Sequence, residues 1–470
     1  MPEPSWISVL PPLLAIVLAI ATRQVYLSLA AGVWIGWTII EDWNPLAGAA
    51  RAIEETVVVL GDPGNAKVIL FTLAIGSLIA TVESSGGVRG FVQRLEERSL
   101  VDSPRRARLL PFLTGVVIFI ESNITVLVAG AIGRPLFDRF RVSREKLAYL
   151  IDSTSAPICI LIPFNAWGAY VLGLLGQLGV EKPFAVLITS LPLNFYALLA
   201  VLLAGATAAF DWNIGPMRRA EARTQEGKLL WDDAVPLVDP DVIAPPAETP
   251  LPPRARNMLL PIAALVLTMP IGLLITGDGD IRAGSGSTSV LWAVLTALAL
   301  AWAMLLVQRG YSVDGLTRIA LKGAGGLMSL AFVLLLALAL AAVANALGAG
   351  PWVADVSTRL IPARALLPLT FLIAAFIAFS TGTSWGTFAI MLAIAVPAAQ
   401  SLSLPIAPFV AASLSGGIFG DHASPISDTT IIASMAAATD HIDHVRTQLP
   451  YALVAAAGAT VLFAVAGLLL

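Results

Sequence analysis

The sequence predicts an all-α polytopic membrane protein made of two inverted repeats, each of five transmembrane helices plus one re-entrant hairpin, with unwound helices at the bilayer midplane. Three observations carry that prediction. Of 470 residues, 57% are hydrophobic and only 13% charged, against about 25% charged in an average soluble domain. Apolar runs recur from Trp6 to Leu470, each about long enough to cross ~30 Å of hydrocarbon. Polar clusters interrupt these runs at matching places in the two halves. Soluble enzymes and nucleic-acid binders are thereby excluded. The net charge of −3 points to no partner, and the single cysteine, Cys159, excludes both an intrachain disulfide framework and a cysteine-built metal cage. The opening MPEPSW lacks the positive region of a signal peptide, so the first run is expected to be a retained span.

The runs lie near residues 6–22, 25–40, 66–83, 109–137, 147–175 and 184–210, then 258–276, 288–307, 327–347, 366–399, 408–436 and 449–470. Between the two sets, residues 211–257 are polar, proline-rich and of mixed charge, and cannot bury enough apolar surface to fold alone. They read as a cytoplasmic linker between a first repeat, 1–210, and a second, 258–470.

The halves resemble each other in order. Leu10, Pro11 and Pro12 open run one, and Leu260 and Pro261 stand in run seven. Amphipathic segments at Asn44 and Ser312 follow the second run of each half and are expected at the interface. The fourth runs begin LLPFL at Leu109 and LLPLT at Leu366, then break at ESNIT from Glu121 and STGTSWGT from Ser380; the fifth break at DSTSAP from Asp152 and GDHASPISDTT from Gly420. Matched interruptions in duplicated halves are the sequence pointer to a secondary transporter.

Charge sets the topology. Six arginines precede the first fourth run (Arg89, Arg94, Arg98, Arg105, Arg106, Arg108), and Arg134, Arg139, Arg141, Arg144 and Lys146 follow it. The positive-inside rule places both flanks in the cytoplasm, so this run enters and returns as a hairpin, tolerated only when buried against protein or a water-lined cavity. Five spans per half invert the second half, whose hairpin enters from outside; Ala365 to Gly420 contains no Lys or Arg. Both termini are expected outside. The competing layout is twelve full spans with parallel repeats.

Polar residues at bilayer depth concentrate in the four breaks. Glu121, Ser122, Asn123 and Thr125 mark the first hairpin tip, and Thr381, Gly382, Thr383, Ser384 and Thr387 the second. Asp152 and Ser155 precede Pro157, while Asp421, His422, Ser424 and Asp428 surround Pro425. An ionised carboxylate there costs several kcal/mol unless it meets a cation or a proton. Proline frees carbonyls upstream, and carboxylate, carbonyl and hydroxyl oxygens suit a hard cation such as sodium. Isolated Ser384 and Thr430 read as packing residues. Asp152, Asp421, Asp428 and Glu121 are the candidates for proton coupling. Asn165, Trp167, Trp385 and His422 are candidates for a substrate cavity, with core packing the alternative for the tryptophans. His441, Asp443 and His444 read as a solvated loop.

The run GDHASPISDTTIIAS from Gly420, with LPPLLAIVLAIATRQVYLSLAAGVWIG from Leu10, resembles the NhaC-type sodium/proton antiporter family of the ion-transporter superfamily. Ala423 stands where family members often carry cysteine, a soft ligand that sodium does not need. The resemblance implies two inverted repeats whose hairpins and unwound helices meet at a central sodium site. It carries Ser122, Asn123 and the Asp152 to Pro157 stretch, with Ser155, into a first site. Thr381, Thr383 and the Asp421 to Asp428 stretch, with Ser424, fall into a second. It further implies a homodimer, in the cell membrane, the inner membrane of a bacterium, with no cofactor beyond the transported ion.

Exchange of sodium for protons is the leading function, because one carboxylate that holds either ion but not both couples the two fluxes. The alternative is sodium-coupled transport or exchange of a small organic acid or amino acid, whose carboxylate helix N-termini can bind. An intramembrane aspartyl protease pairing Asp152 with Asp421 leaves the duplicated hairpins without a purpose, and a passive channel does not need inverted halves.

Overall fold

The computed structural model describes residues 5–22, 24–97, 102–119, 122–236, 251–281, 284–349, 351–352, 355 and 363–470. Among them the chain is helical, apart from turns and one isolated bridge between Pro236 and Asp440. The first half comprises α1 (Leu10–Thr22), α2 (Val25–Ile40), α3 (Pro45–Gly61), α4 (Pro63–Ser84), α5 (Gly87–Glu97), α6 (Pro104–Val117), α7 (Ser122–Phe140), α8 (Arg144–Ser153), α9 (Ala156–Leu161), α10 (Ala166–Gln177), α11 (Pro183–Ser190) and α12 (Phe195–Phe210). A helix of the inter-half segment, α13 (Pro216–Gln225), follows. The second half comprises α14 (Arg256–Thr276), α15 (Gly286–Val307), α16 (Val313–Gly326), α17 (Met328–Ala346), α18 (Ala363–Thr381), α19 (Ser384–Ser401), α20 (Ile406–Ala423), α21 (Asp428–Ala437) and α22 (His441–Gly467).

Local chemistry fixes many of these boundaries. Asn44, Asp62, Ser103, Ser143, Asn165, Ser312 and Asp440 each accept a hydrogen bond from a backbone N–H of the helix they precede, satisfying donors that the first turn leaves free. Pro45, Pro63 and Pro104 then occupy first helical positions, where no N–H is needed.

The chain is a multi-pass membrane protein. Six helical stretches among the described residues are long and apolar enough to cross a bilayer, or eight if each of two bent pairs counts as one crossing. The runs near 6–22 and 25–40 fold as helices of 13 and 16 residues, shorter than the ~20 residues of an ordinary span. Both fourth runs break into paired helices, α6 with α7 and α18 with α19, that pack against each other. The second turns back at Gly382, whose φ of +69° suits glycine.

α1 to α4 pack with α14 to α17, while α18, α20 and α22 surround the second break and α6 to α8, α12 and α21 the first. Close approach through small residues holds both groups. A side chain at Gly76 would strike the Gly323 carbonyl on α16, and one at Gly420 would strike Ala378 on α18, the small-residue packing that replaces hydrophobic drive between helices in lipid.

The inter-half segment is folded over its first part. Glu145 and Lys146, fully buried at the start of α8, meet residues of this segment: Arg223 forks onto Glu145 at 2.7 and 2.9 Å, and Lys146 reaches Asp211 at 2.5 Å and Glu221 at 3.1 Å. Val235 donates its N–H to Asp440 at 2.9 Å. Residues 211–236 therefore strap the end of α12 across α8 to the start of α22.

Candidate functional site

α20 ends at Ala423 because Pro425, two residues on, has no N–H with which to continue the ladder. Asp421 thus stands in a last turn, 2% exposed. Ser384, the first residue of α19 at the second hairpin, donates its hydroxyl to one carboxylate oxygen at 2.6 Å. Ser427, from the far side of the break, donates to the other at 2.6 Å. Thr429 Oγ1 lies 3.1 Å from the Ser427 hydroxyl, and Thr430 donates to the Asp421 carbonyl at 3.2 Å. Ser384 and Thr430, read from the sequence as packing residues, are instead directed at this aspartate.

Asp152 forms a second centre in the last turn of α8. Ser155 donates to its backbone carbonyl at 2.8 Å rather than to its carboxylate. The carboxylate's partners come from the far end of the chain: Gln448 donates to Oδ2 at 2.6 Å, and His444 Nε2 lies 3.4 Å away without hydrogen-bond geometry. Oδ1 is buried and has no partner among the described residues.

His422 joins the two centres. Its ring is held between Tyr196 OH at Nδ1, 2.7 Å, and Ser153 Oγ at Nε2, 2.9 Å, and its backbone carbonyl accepts from Gln448 at 2.5 Å. A ring so filled on both nitrogens binds its neighbours and does not face an open cavity.

Other candidates sit otherwise. Ser424 donates to the Phe379 carbonyl at 2.8 Å, Thr381 to the Ile377 carbonyl at 2.9 Å, and the Thr383 carbonyl accepts from Thr387 at 3.0 Å. Ser122 begins α7 and is buried, Thr125 donates to the Ile118 carbonyl, and Glu121 and the Asn123 side chain lie outside the described residues. Asp428, the first residue of α21, is exposed and accepts from the Thr429 N–H at 2.9 Å. Asn165 caps α10 and spends its amide on the carbonyls of Phe119, Cys159 and Ile162. Trp167 and Trp385 pack on each other, ring centroids 4.6 Å apart, leaving no space for a solute between them.

The expected loop at His441 to His444 is the first turn of α22. His441 meets the Pro425 carbonyl at 2.6 Å and the Ser434 hydroxyl at 3.0 Å, and His444 is fully buried. His444 and Gln448, one turn apart, were hidden from hydropathy because they precede the last apolar run at its polar edge. Tyr196 was hidden inside an apolar run. The spacing of His444 and Gln448, i and i+4 on one helix face, was the signal available.

The carbonyls freed at the breaks are largely captured by side-chain donors. Around Asp421 this leaves an oxygen-only set, two carboxylate oxygens and hydroxyls of Ser384, Ser427 and Thr429. A hydroxyl has lone pairs as well as a proton, so the groups that now donate to the carboxylate can turn those lone pairs toward a hard cation beside it.

Residues 174–468 match the profile described as the Na+/H+ antiporter family. An uncharacterized protein of Haemophilus influenzae is 33% identical, over 98% of this chain and 90% of its own length. The malate-2H(+)/Na(+)-lactate antiporter of Bacillus subtilis is 32% identical over 36% of this chain and 37% of its own. Among solved structures, the YdaH transporter of Alcanivorax borkumensis superposes with a TM-score of 0.57, covering 89% of this chain and 88% of that one at 14% identity, a likeness of fold alone.

Proposed function

The chain belongs to the Na+/H+ antiporter family, and from that premise we propose that it exchanges sodium for protons through the Asp421 carboxylate. The observation that carries the proposal is the pairing of both carboxylate oxygens with hydroxyls, one from the second hairpin and one from across the second break. A carboxylate at this depth needs a counter-charge. Sodium, ligated by Asp421 with Ser384, Ser427 and Thr429, supplies one; a proton on the same carboxylate supplies the other. Neither an empty, charged carrier nor a doubly loaded one moves cheaply, which ties the two fluxes together. Asp152, whose carboxylate retains one oxygen without a partner among the described residues, is the second candidate for proton or cation loading.

In sealed proteoliposomes containing a pH dye, an inward sodium gradient should drive protons out and make the lumen alkaline. No pH change with sodium, whatever organic acid is present, sinks the exchange reading. The named cargo of the Bacillus subtilis relative favours one other reading, coupled exchange of a small carboxylic acid. Under it, sodium moves protons only when malate or lactate is supplied.

The arginine-rich ends of α6 and α7 are placed in the cytoplasm by charge, and the second half is inverted with respect to the first. With Cys159 replaced, Arg139→Cys and Gln225→Cys should label from the cytoplasmic face only, and Ser403→Cys from the opposite face only; all three side chains are exposed. Labelling of Arg139→Cys and Ser403→Cys from one face removes the inverted arrangement.

A further inference from the structure

We propose that Gln448 is a positioning residue that couples the two carboxylate centres, its one amide nitrogen bridging the Asp152 carboxylate and the His422 carbonyl beside Asp421. The inference rests on the exchange reading above and deepens it.

The His422 carbonyl is available because the helix stops. In a continuing helix it would accept from the N–H of Ile426, but that N–H is turned to the Ser424 hydroxyl at 3.3 Å. Gln448 Nε2 carries two protons and has two acceptors, Asp152 Oδ2 at 2.6 Å and the His422 carbonyl at 2.5 Å. Both partners are acceptors, so only the orientation with nitrogen facing them is satisfied, and the amide is locked. Its own oxygen, Oε1, is buried without a donor among the described residues, as is Asp152 Oδ1. Burying acceptors unmet is costly, so a glutamine used only to fill space is poorly suited to this position.

The bridge spans three elements: α8 of the first half, the end of α20 in the second, and α22. A cation drawn to Asp421 pulls on the adjacent carbonyl. The bond at that carbonyl and the bond at Asp152 share one nitrogen, so a shift at one changes the other. Among the described residues no hydrogen bond runs directly from the Asp152 side chain to the Asp421 segment; besides Gln448, the neighbouring link runs through Ser153 and the His422 ring.

The test is a double-mutant cycle read by sodium-dependent thermal shift of the purified, detergent-solubilised protein, which reports folding and sodium affinity together. Gln448→Met keeps the length of the side chain and removes both bonds. Asp152→Asn in the parent is expected to change half-saturating sodium by about fivefold or more, as is Gln448→Met. The double variant should then show no change beyond the larger of the two, because the route is already cut. Gln448→Asn, which keeps the amide on a shorter arm, should restore part of the coupling in neither flux nor binding, whereas Gln448→His, which retains a ring N–H donor near the same reach, should restore part of it in binding. Additive effects of Asp152→Asn and Gln448→Met overturn the inference, as does a Gln448→Met protein that melts lower yet binds sodium like the parent, which marks a purely structural residue. If the parent shows no sodium-dependent shift and no sodium-driven proton flux, the exchange reading falls and this inference with it. Additivity in a parent that does exchange sodium for protons removes the coupling role alone.

Discussion

Asp421→Asn is expected to abolish sodium-driven proton movement while leaving the protein folded. Asparagine keeps the size and one carbonyl oxygen but loses the titratable charge. The site tolerates the exchange sterically and in hydrogen bonding: the amide oxygen can still accept from one of Ser384 and Ser427, and the amide nitrogen can donate to the other, since each hydroxyl is donor and acceptor alike. Sodium affinity should fall about ten- to a hundredfold, the 1.5–3 kcal/mol scale of interactions with a charged group, and the melting temperature should stay near that of the parent. In the parent, protons and sodium compete for the same oxygens. Acidification should therefore raise the sodium concentration needed for half-maximal flux, by up to about tenfold per pH unit once protons dominate the site. In Asp421→Asn, whose flux is lost, the residual sodium binding read by thermal shift should no longer depend on pH. Flux in pH-dye vesicles across a pH series measures the competition in the parent, and a variant that keeps sodium-dependent proton flux moves the exchange site to Asp152 or Asp428.

The largest expected effect on stability lies away from the carboxylate centres, at Glu145 and Arg223. Both are buried, and the guanidinium forks onto the carboxylate while also donating to the carbonyls of Lys228 and Leu229 and lying over the Trp231 ring, 4.6 Å from its centroid. Arg223→Met leaves a fully buried carboxylate without a counter-charge, which costs about 3–5 kcal/mol. Glu145→Gln added to Arg223→Met should recover part of the loss, because a neutral amide is cheaper to bury than an unpaired charge. Thermal unfolding of the purified variants measures the difference. A single variant that melts with the parent means that water reaches Glu145, and a double variant no better than the single means that the carbonyl contacts, rather than the charge, hold the segment.

Much of this architecture was legible because membranes make sequence simple. Hydropathy marked the apolar runs, and the polar clusters at Ser122, Asp152, Thr383 and Asp421 marked the places where helices stop. Proline gave the reason at Pro425, where α20 ends two residues earlier. Which oxygens meet was less legible. Ser384 and Thr381 are three residues apart and chemically alike, yet one faces Asp421 and the other is spent on its own helix, a distinction set by the left-handed turn at Gly382 between them. Gln448 and His444 were harder to read for a different reason: their partner, Asp152, lies nearly three hundred residues earlier in sequence, and periodicity reports only neighbours. The folded part of the inter-half segment was hidden because its composition is that of a linker. Its order comes from charges on α8, which a window of local hydropathy does not weigh.

The long reach of the Gln448 bonds bears on how the chain is made. Synthesis proceeds from the amino end, so Asp152 is placed nearly three hundred residues before the side chain that binds it. His422 likewise waits for Gln448, while Ser153 waits for His422. Until α22 emerges from the ribosome, the first half holds a carboxylate with no donor in the apolar phase. The first half is therefore expected to stay unfinished until α20, α21 and α22 have packed on it. Co-expression of residues 1–236 and 251–470 as separate chains should yield a complex that survives purification, whereas residues 1–236 alone should be degraded. In the folded chain α22 closes onto α8 through the Gln448 bond to Asp152.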